Sequence, residues 1–174
     1  MGEKDYVDNF EDMTDFALSE EEEATLLEKQ TECSFMWTNS QGEPVGVIMN
    51  YVWRKGRFWL TATRSRARIP AIEARPRVAL TISSRGTSIP LCQALTFKGT
   101  AILHDDAETN GWLNTELSNV LRPHDASQAA AFAEFLAASE GRVVIEVVPD
   151  KKISFNTEPL FRNSPTGPSY SRLD

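Results

Sequence analysis

The chain has 174 residues, 18 of them basic and 25 acidic, a formal net charge of −7 and 41% hydrophobic residues. That length and apolar content suit one packed domain, and at a mean hydropathy of −0.35 no apolar run approaches the ~18 residues a membrane span needs. The acidic balance argues against a broad nucleic-acid surface, whose footprint is a basic stripe.

The charge is unevenly spread. Residues 1–32 carry twelve acids and two lysines, whereas the rest carries thirteen acids and sixteen bases. The N-terminal segment has neither the basic region nor the apolar region of a secretory signal, so a soluble, cytoplasmic protein is expected. Cys33 and Cys92 form no CxxC motif or disulfide framework and read as small buried hydrophobes. His104 and His124 are the only histidines. With no HExxH, Cys/His cluster or EF-hand spacing, no metal site is expected.

Residues 1–18 mix acids with Tyr6, Phe10, Met13 and Phe16 and read as a poorly ordered or loosely docked arm. Ser19 followed by Glu22 is a capping box, and it predicts a helix over 20–30 with Ala24 and Leu27 on its apolar face. The period then changes to two. Cys33–Thr38 reads as a strand, 39–44 as a turn, and 45–52 as a half-buried strand in which Val45, Val47, Met49 and Tyr51 share one face. Arg54-Lys55-Gly56 is a hairpin turn signal, and 57–63 returns as a strand. Residues 68–75 form a short helix, with Pro70 in its first turn and Pro76 at its end.

Val78–Ser83 is another strand, 84–88 a loop, and 93–103 a long strand in which Gly99 suggests a bulge or barrel corner. Asp105 or Asp106 caps a helix with Leu113, Leu117, Val120 and Leu121 on one side, stopped by Pro123. A second helix runs from Asp125 to about Ser139 with Phe132, Phe135 and Leu136 on its apolar face, and Gly141 ends it. Residues 142–148 and 151–155 read as two closing strands. The expected organisation is the arm (1–18), one domain (19–156) and a tail (157–174). Strands that follow one another through turns fit a mainly β, antiparallel sheet or small barrel with peripheral helices.

The densest charge feature is the run from Arg64 through Arg66, Arg68 and Arg75 to Arg77, opposed only by Glu73. Arginine offers phosphate a planar, permanently charged fork. These arginines follow a strand end, Thr61-Ala62-Thr63, and precede a helix start whose free N–H groups would favour an anion. Hydroxyls of Thr61, Thr63 and Ser65 lie in the same stretch. A phosphate cradle is one reading. A solvated turn, or pairing with the acidic arm, is the other.

The order of several segments bears on that choice: Gly42–Pro44, Met49–Tyr51, Gly56–Thr61, Arg66–Ile69, Arg75–Leu80, Thr96–Asp105 and Val143–Phe155. Over about residues 20–156 the chain resembles the pyridoxamine 5′-phosphate oxidase-like family, split β-barrels that bind flavins or deazaflavins. The resemblance implies a homodimer with FMN or coenzyme F420 at the subunit interface. It places Arg66 and Arg68 on the cofactor phosphate, Arg68 standing where the family usually has lysine. It places Thr61, Ala62 and Thr63 against phosphate and ring, Val47, Ile48 and Met49 along the isoalloxazine, and Gln93 near the ring, though one residue out of register with Gly99.

The resemblance does not extend to a second set of basic residues for a substrate phosphate, since Arg162 and Arg172 lie in an unmatched tail. Oxidation of vitamin B6 is therefore not expected. The spacing is closer to the actinobacterial F420-using branch, although no residue separates F420 from FMN. The implied activity is hydride transfer to a small electron-poor acceptor, with the cofactor supplying the chemistry. That accords with the lack of any catalytic motif in the sequence, and no catalytic residue is assigned. Trp37, Tyr51, Trp53 and Trp59 are candidates for lining an apolar substrate pocket. Trp112 reads as core, and His104 and His124 as surface or cap residues. The alternative is binding of a cofactor or a tetrapyrrole (haem or biliverdin) without turnover. Binding of single strands would need aromatics on a basic groove, and neither nucleic acid nor membrane is an expected partner.

Overall fold

A computed structural model describes residues 16–89 and 92–157. In chain order the elements are α1 (Glu20–Lys29), β1 (Glu32–Thr38), β2 (Pro44–Asn50), β3 (Val52–Arg54), β4 (Arg57–Thr63), α2 (Arg68–Ala74), β5 (Arg77–Ser83), β6 (Gln93–His104), α3 (Ala107–Leu121), α4 (Ala126–Ala137) and β7 (Arg142–Asn156). The strands form one sheet in the order β2-β1-β5-β6-β7-β4-β3. The pairings of β1 with β2 and β5, and of β4 with β3 and β7, are antiparallel. The fold is mainly β with peripheral helices, as the strand order predicts, and is the split barrel that the resemblance implies. Of the described residues, 16–30, 82–89, 92–96 and 153–157 form one compact unit, and 31–81 with 97–152 form another.

In the first unit the capping box forms as expected. The Glu22 N–H donates to Ser19 Oγ (3.2 Å) and the Ser19 N–H donates to Glu22 Oε2 (2.8 Å). Helix α1 buries Leu26 and Leu27, whereas Ala24, expected on the apolar face, is exposed. The expected arm needs a second correction. Its residues 1–15 lie outside the described residues, but Phe16 and Leu18 are core residues. The Phe16 ring sits 6.1 Å from Phe155, and the Leu18 N–H donates to Ser154 Oγ at 2.7 Å. The apolar side chains were valuable to bury, and the acids around them did not prevent it.

The second unit holds the larger core. Phe35, Phe58, Leu60, Leu80, Ile145 and Val147 are fully buried, each on the inward face of a strand of alternating burial or of the near-continuously buried start of β7. The β3–β4 hairpin closes through Lys55 (φ 53°) and Gly56 (φ 71°), the paired positive φ values of a type I′ turn. Two expectations change. Residues 142–156 are one strand rather than two. Pro149 does not break it, since it lies past the stretch paired with β4, which ends at Val147, where a missing N–H donor is tolerated. Gly99 marks no interruption of β6 either. A Cβ there would lie 2.5 Å from the Val148 carbonyl oxygen, so the glycine serves close backbone approach.

Helices α3 and α4 start at Asp106 and Asp125, whose carboxylates accept from the Thr109 and Gln128 N–H groups. Leu113, Leu117 and Leu136 pack with Val52 and Val144 of the sheet, flanked by Trp59, Trp112, Val120, Leu121 and Phe132. Phe135, expected in the apolar face, is 65% exposed and stacks on Phe132. Residues 132 and 136 are one turn apart and face the sheet, so Phe135 projects off that line.

Candidate functional site

The structure sorts the arginines of the 64–77 stretch into paired and unpaired groups. Arg64 is bound to Glu73 (2.9 Å) and Asp105 (3.0 Å). Arg77 pairs with Asp150 and donates to Thr100 Oγ1. Arg75 Nε donates to the Thr38 carbonyl at 3.2 Å. Arg66 and Arg68 have no ion pair among the described residues. Arg66 is exposed. Arg68 reaches over Trp37, its guanidinium carbon 6.0 Å from the ring centroid. Its Nε is buried and has no hydrogen-bond partner among the described residues. Burial, with the nearby charge of Arg66 adding to it, lowers the Arg68 pKa from its ordinary value. An unpaired, partly desolvated cation of this kind gains from an anion.

The expected helix-end contribution is small. Helix α2 has seven residues and no side-chain cap, the Ile69 N–H already donates to the Arg66 carbonyl, and Pro70 has no N–H. Beside Arg68, Trp37, Val45, Ala67, Pro70, Ala71 and Arg75 line an open pocket of about 540 Å³.

At the end of β4, Thr61 and Thr63 share a face and Ala62 points to the opposite, buried side. Thr63 Oγ1 and Ser65 Oγ are 3.2 Å apart, and either is able to donate to the other. The Thr61 hydroxyl donates to the Val143 carbonyl (3.1 Å) and accepts from Arg142 Nη1 (3.3 Å). Arg142 stands opposite Thr63 in the β4–β7 register. Its Nε donates to the Leu136 carbonyl, no carboxylate pairs with it among the described residues, and burial lowers its pKa. Sequence reading passed over Arg142, because only the strand register brings it to the threonines.

The three β2 candidates divide between faces. Val47 and Met49 lie opposite Phe35 and Cys33, whereas Ile48 is 67% exposed. Consecutive strand residues do not aim side chains at one ligand. What they share is the backbone of a strand at the sheet edge, half of whose N–H and C=O groups face away from β1. Gln93 belongs to the other unit. It is buried, its N–H donates to Ser84 Oγ (2.9 Å), and its Nε2 donates to Glu22 Oε1 (3.3 Å).

The four aromatic candidates do not converge on one pocket. Tyr51 is fully buried against Phe58, which raises its hydroxyl pKa through desolvation and the neighbouring Cys33. Trp53 packs on Phe58 and Phe97, Trp37 faces Arg68, and Trp59 turns to the opposite side of β4 from Phe58, toward Trp112 and His104. His104 is a further correction. It is half-buried rather than freely exposed, its Nε2 2.7 Å from Glu146 Oε2 and its side chain 28% exposed. Glu146 also binds Arg57. Burial alone would raise the Glu146 pKa, but the hydrogen bonds and charges of Arg57 and His104 outweigh it, and the net shift is downward. The lone acid inside the apolar run 143–148 was the available sequence signal.

Among the described residues, no group of three or more His, Cys, Asp or Glu side chains is placed to hold a metal ion. No helix among them is long and apolar enough to cross a membrane.

A family model described as pyridoxamine 5′-phosphate oxidase matches residues 19–152. No curated protein matches the chain significantly. Among solved structures, a conserved hypothetical protein from Mycobacterium tuberculosis is similar with TM-score 0.72 and 17% identity, covering 84% of this chain and 90% of that one. An F420 reductase is similar with TM-score 0.56 and 21% identity, covering 74% and 94%. HutZ, the heme storage protein from Vibrio cholerae, is similar with TM-score 0.59 and 11% identity, covering 79% and 94%. At these identities the structural neighbours speak to the fold alone, while the family model spans most of the sequence. The chain therefore belongs to the pyridoxamine 5′-phosphate oxidase family.

Proposed function

We propose that the chain is a flavin- or deazaflavin-dependent oxidoreductase that reduces a small electron-poor acceptor. In this reading it acts in the cytoplasm as a homodimer, with FMN or F420 at the subunit interface. The observation that carries the reading is Arg68, a guanidinium with a buried, partnerless Nε and no carboxylate to neutralise it among the described residues. Such a group fits the phosphate of a phosphorylated cofactor. Arg66 adds a second charge, and Thr63 with Ser65 adds hydroxyl donors. Thr61 acts through Arg142, which it helps to hold in place. The exposed backbone edge of β2 at Val47–Met49 suits the polar rim of a flat ring. The bound cofactor would supply the hydride chemistry, and the chain would bind it, orient it and neutralise its charge.

The similarity to a heme storage protein supports a second reading, binding of a tetrapyrrole without turnover. Against it, His104 is committed to Glu146.

The test is the visible spectrum of the purified protein, followed by titration with FMN, F420 and haem. A flavin or deazaflavin band, or micromolar binding of either, supports the first reading. Failure of both, with a Soret band on adding haem, refutes it in favour of the second.

A further inference from the structure

A second pocket lies on the β3–β4 hairpin beneath the start of α3, away from the arginine–threonine stretch in sequence and built from different side chains. It holds about 260 Å³ and is lined by Arg54, Lys55, Trp59, Glu108, Thr109 and Trp112. Two indoles form its walls, with the Trp59 and Trp112 ring centroids 5.0 Å apart at 78°. Both indoles line the pocket and offer aromatic surface to a flat guest.

The walls are braced. Arg54 lies 5.2 Å over the Trp112 ring, and the Trp59 indole N–H donates to the Arg54 carbonyl at 3.4 Å. Behind Trp59 sits His104, with ring centroids 5.9 Å apart. His104 is in turn tied to buried Glu146, which Arg57 also holds. A buried carboxylate with two basic partners is costly to move, so it fixes the face of β4 from which Trp59 projects.

Charge selects the guest. The lining contributes Arg54 and Lys55 against Glu108. Glu116 offsets Arg54 only partly, at 3.6 Å with both side chains more than a third exposed. Lys55 sits at the tip of the hairpin with φ 53° and has no ion pair among the described residues. Two aromatic walls with the unpaired Lys55 ammonium at the rim match a flat ring bearing one negative group.

We infer that this pocket binds a small planar aromatic carboxylate, its ring against Trp59 and Trp112 and its carboxylate toward Lys55 and Arg54. The site is independent of the cofactor reading, because it shares no residue with the Arg66–Arg68 region.

The test is calorimetric titration of the full chain with 2-naphthoate and with neutral 2-naphthylmethanol. Saturable one-site binding of 2-naphthoate is expected, with the alcohol weaker by about tenfold. Lys55→Asn keeps a residue that tolerates positive φ. It should weaken 2-naphthoate by about tenfold and leave the alcohol unchanged. Trp112→Leu, its fold checked by thermal melting, should weaken both by about fivefold. The inference is overturned by absence of saturable 2-naphthoate binding, by equal affinity for the alcohol, or by 2-naphthoate affinity that Lys55→Asn leaves unchanged.

Discussion

Replacing Arg68 by methionine should move cofactor affinity and fold stability in different directions. The apolar stem of the side chain is retained, so packing near Trp37 changes little. In the free protein the substitution removes a buried Nε with no partner, a group whose burial costs about 1–3 kcal/mol. It also removes a cation over the Trp37 ring at 6.0 Å, worth about 0.5–1 kcal/mol. Urea denaturation of the free protein should therefore show unchanged or slightly increased stability, by up to about 2 kcal/mol. A charge-assisted hydrogen bond to phosphate is worth about 1.5–3 kcal/mol, so FMN should bind roughly 10- to 150-fold more weakly. Riboflavin, which lacks the phosphate, should lose little. Fluorescence titration of wild type and variant with both ligands gives the comparison. Equal loss for FMN and riboflavin would refute the phosphate role of Arg68. A loss of stability above 1 kcal/mol would show that its Nε has a partner in the free protein.

Three further predictions concern the frame around the site. Gly99→Ala places a Cβ 2.5 Å from a backbone oxygen and 3.0 Å from Val147 Cγ1, and should cost about 1–3 kcal/mol in urea denaturation. Gly111→Ala, with open space around it inside α3, should instead stabilise by about 0.5–1 kcal/mol; the same sign for both would contradict the close approach at Gly99. The depressed pKa of Glu146, set by Arg57 and His104 against the opposing effect of burial, means that the folded state holds the carboxylate ionised below the unfolded value of about 4.3. Its stabilisation is present above that value and is lost as pH falls through the lower folded one, so wild type should lose more stability than Glu146→Gln on acidification from pH ~4.3 downward; parallel curves would refute this. Cys33 is buried, and burial, followed by the charge of Glu32, pushes its thiol up to about 12. Iodoacetamide at neutral pH should modify it only after unfolding, which mass spectrometry of the labelled peptides reads directly.

Much of the molecule is legible in its sequence because local rules decide local geometry. Ser19 and Glu22 announce the start of α1, Lys55-Gly56 dictates its turn, Asp106 and Asp125 cap their helices, and the period-two alternation of 45–49 and 57–63 sets which side chains turn inward. The ordered segments from Gly42 to Phe155 identify the family. Each of these signals depends on neighbours within a few residues, where backbone sterics and capping hydrogen bonds act.

What composition left open were the questions of pairing. Five arginines between 64 and 77 looked alike, and only the placement of Glu73, Asp105, Asp150 and the Thr38 carbonyl separates the three committed ones from Arg66 and Arg68. Register alone brings Arg142 to Thr61 and Thr63, and His104 and Arg57 to Glu146, across 42 and 89 positions of chain. It likewise sends Trp59 and Phe58 to opposite faces, so the aromatics that looked like one pocket divide among several surroundings. Local pattern was enough for most of the elements, for the family and for the residues able to carry charge. Which charges are neutralised is set by folding in three dimensions, because an ion pair depends on distance in space and its members need not be near in sequence.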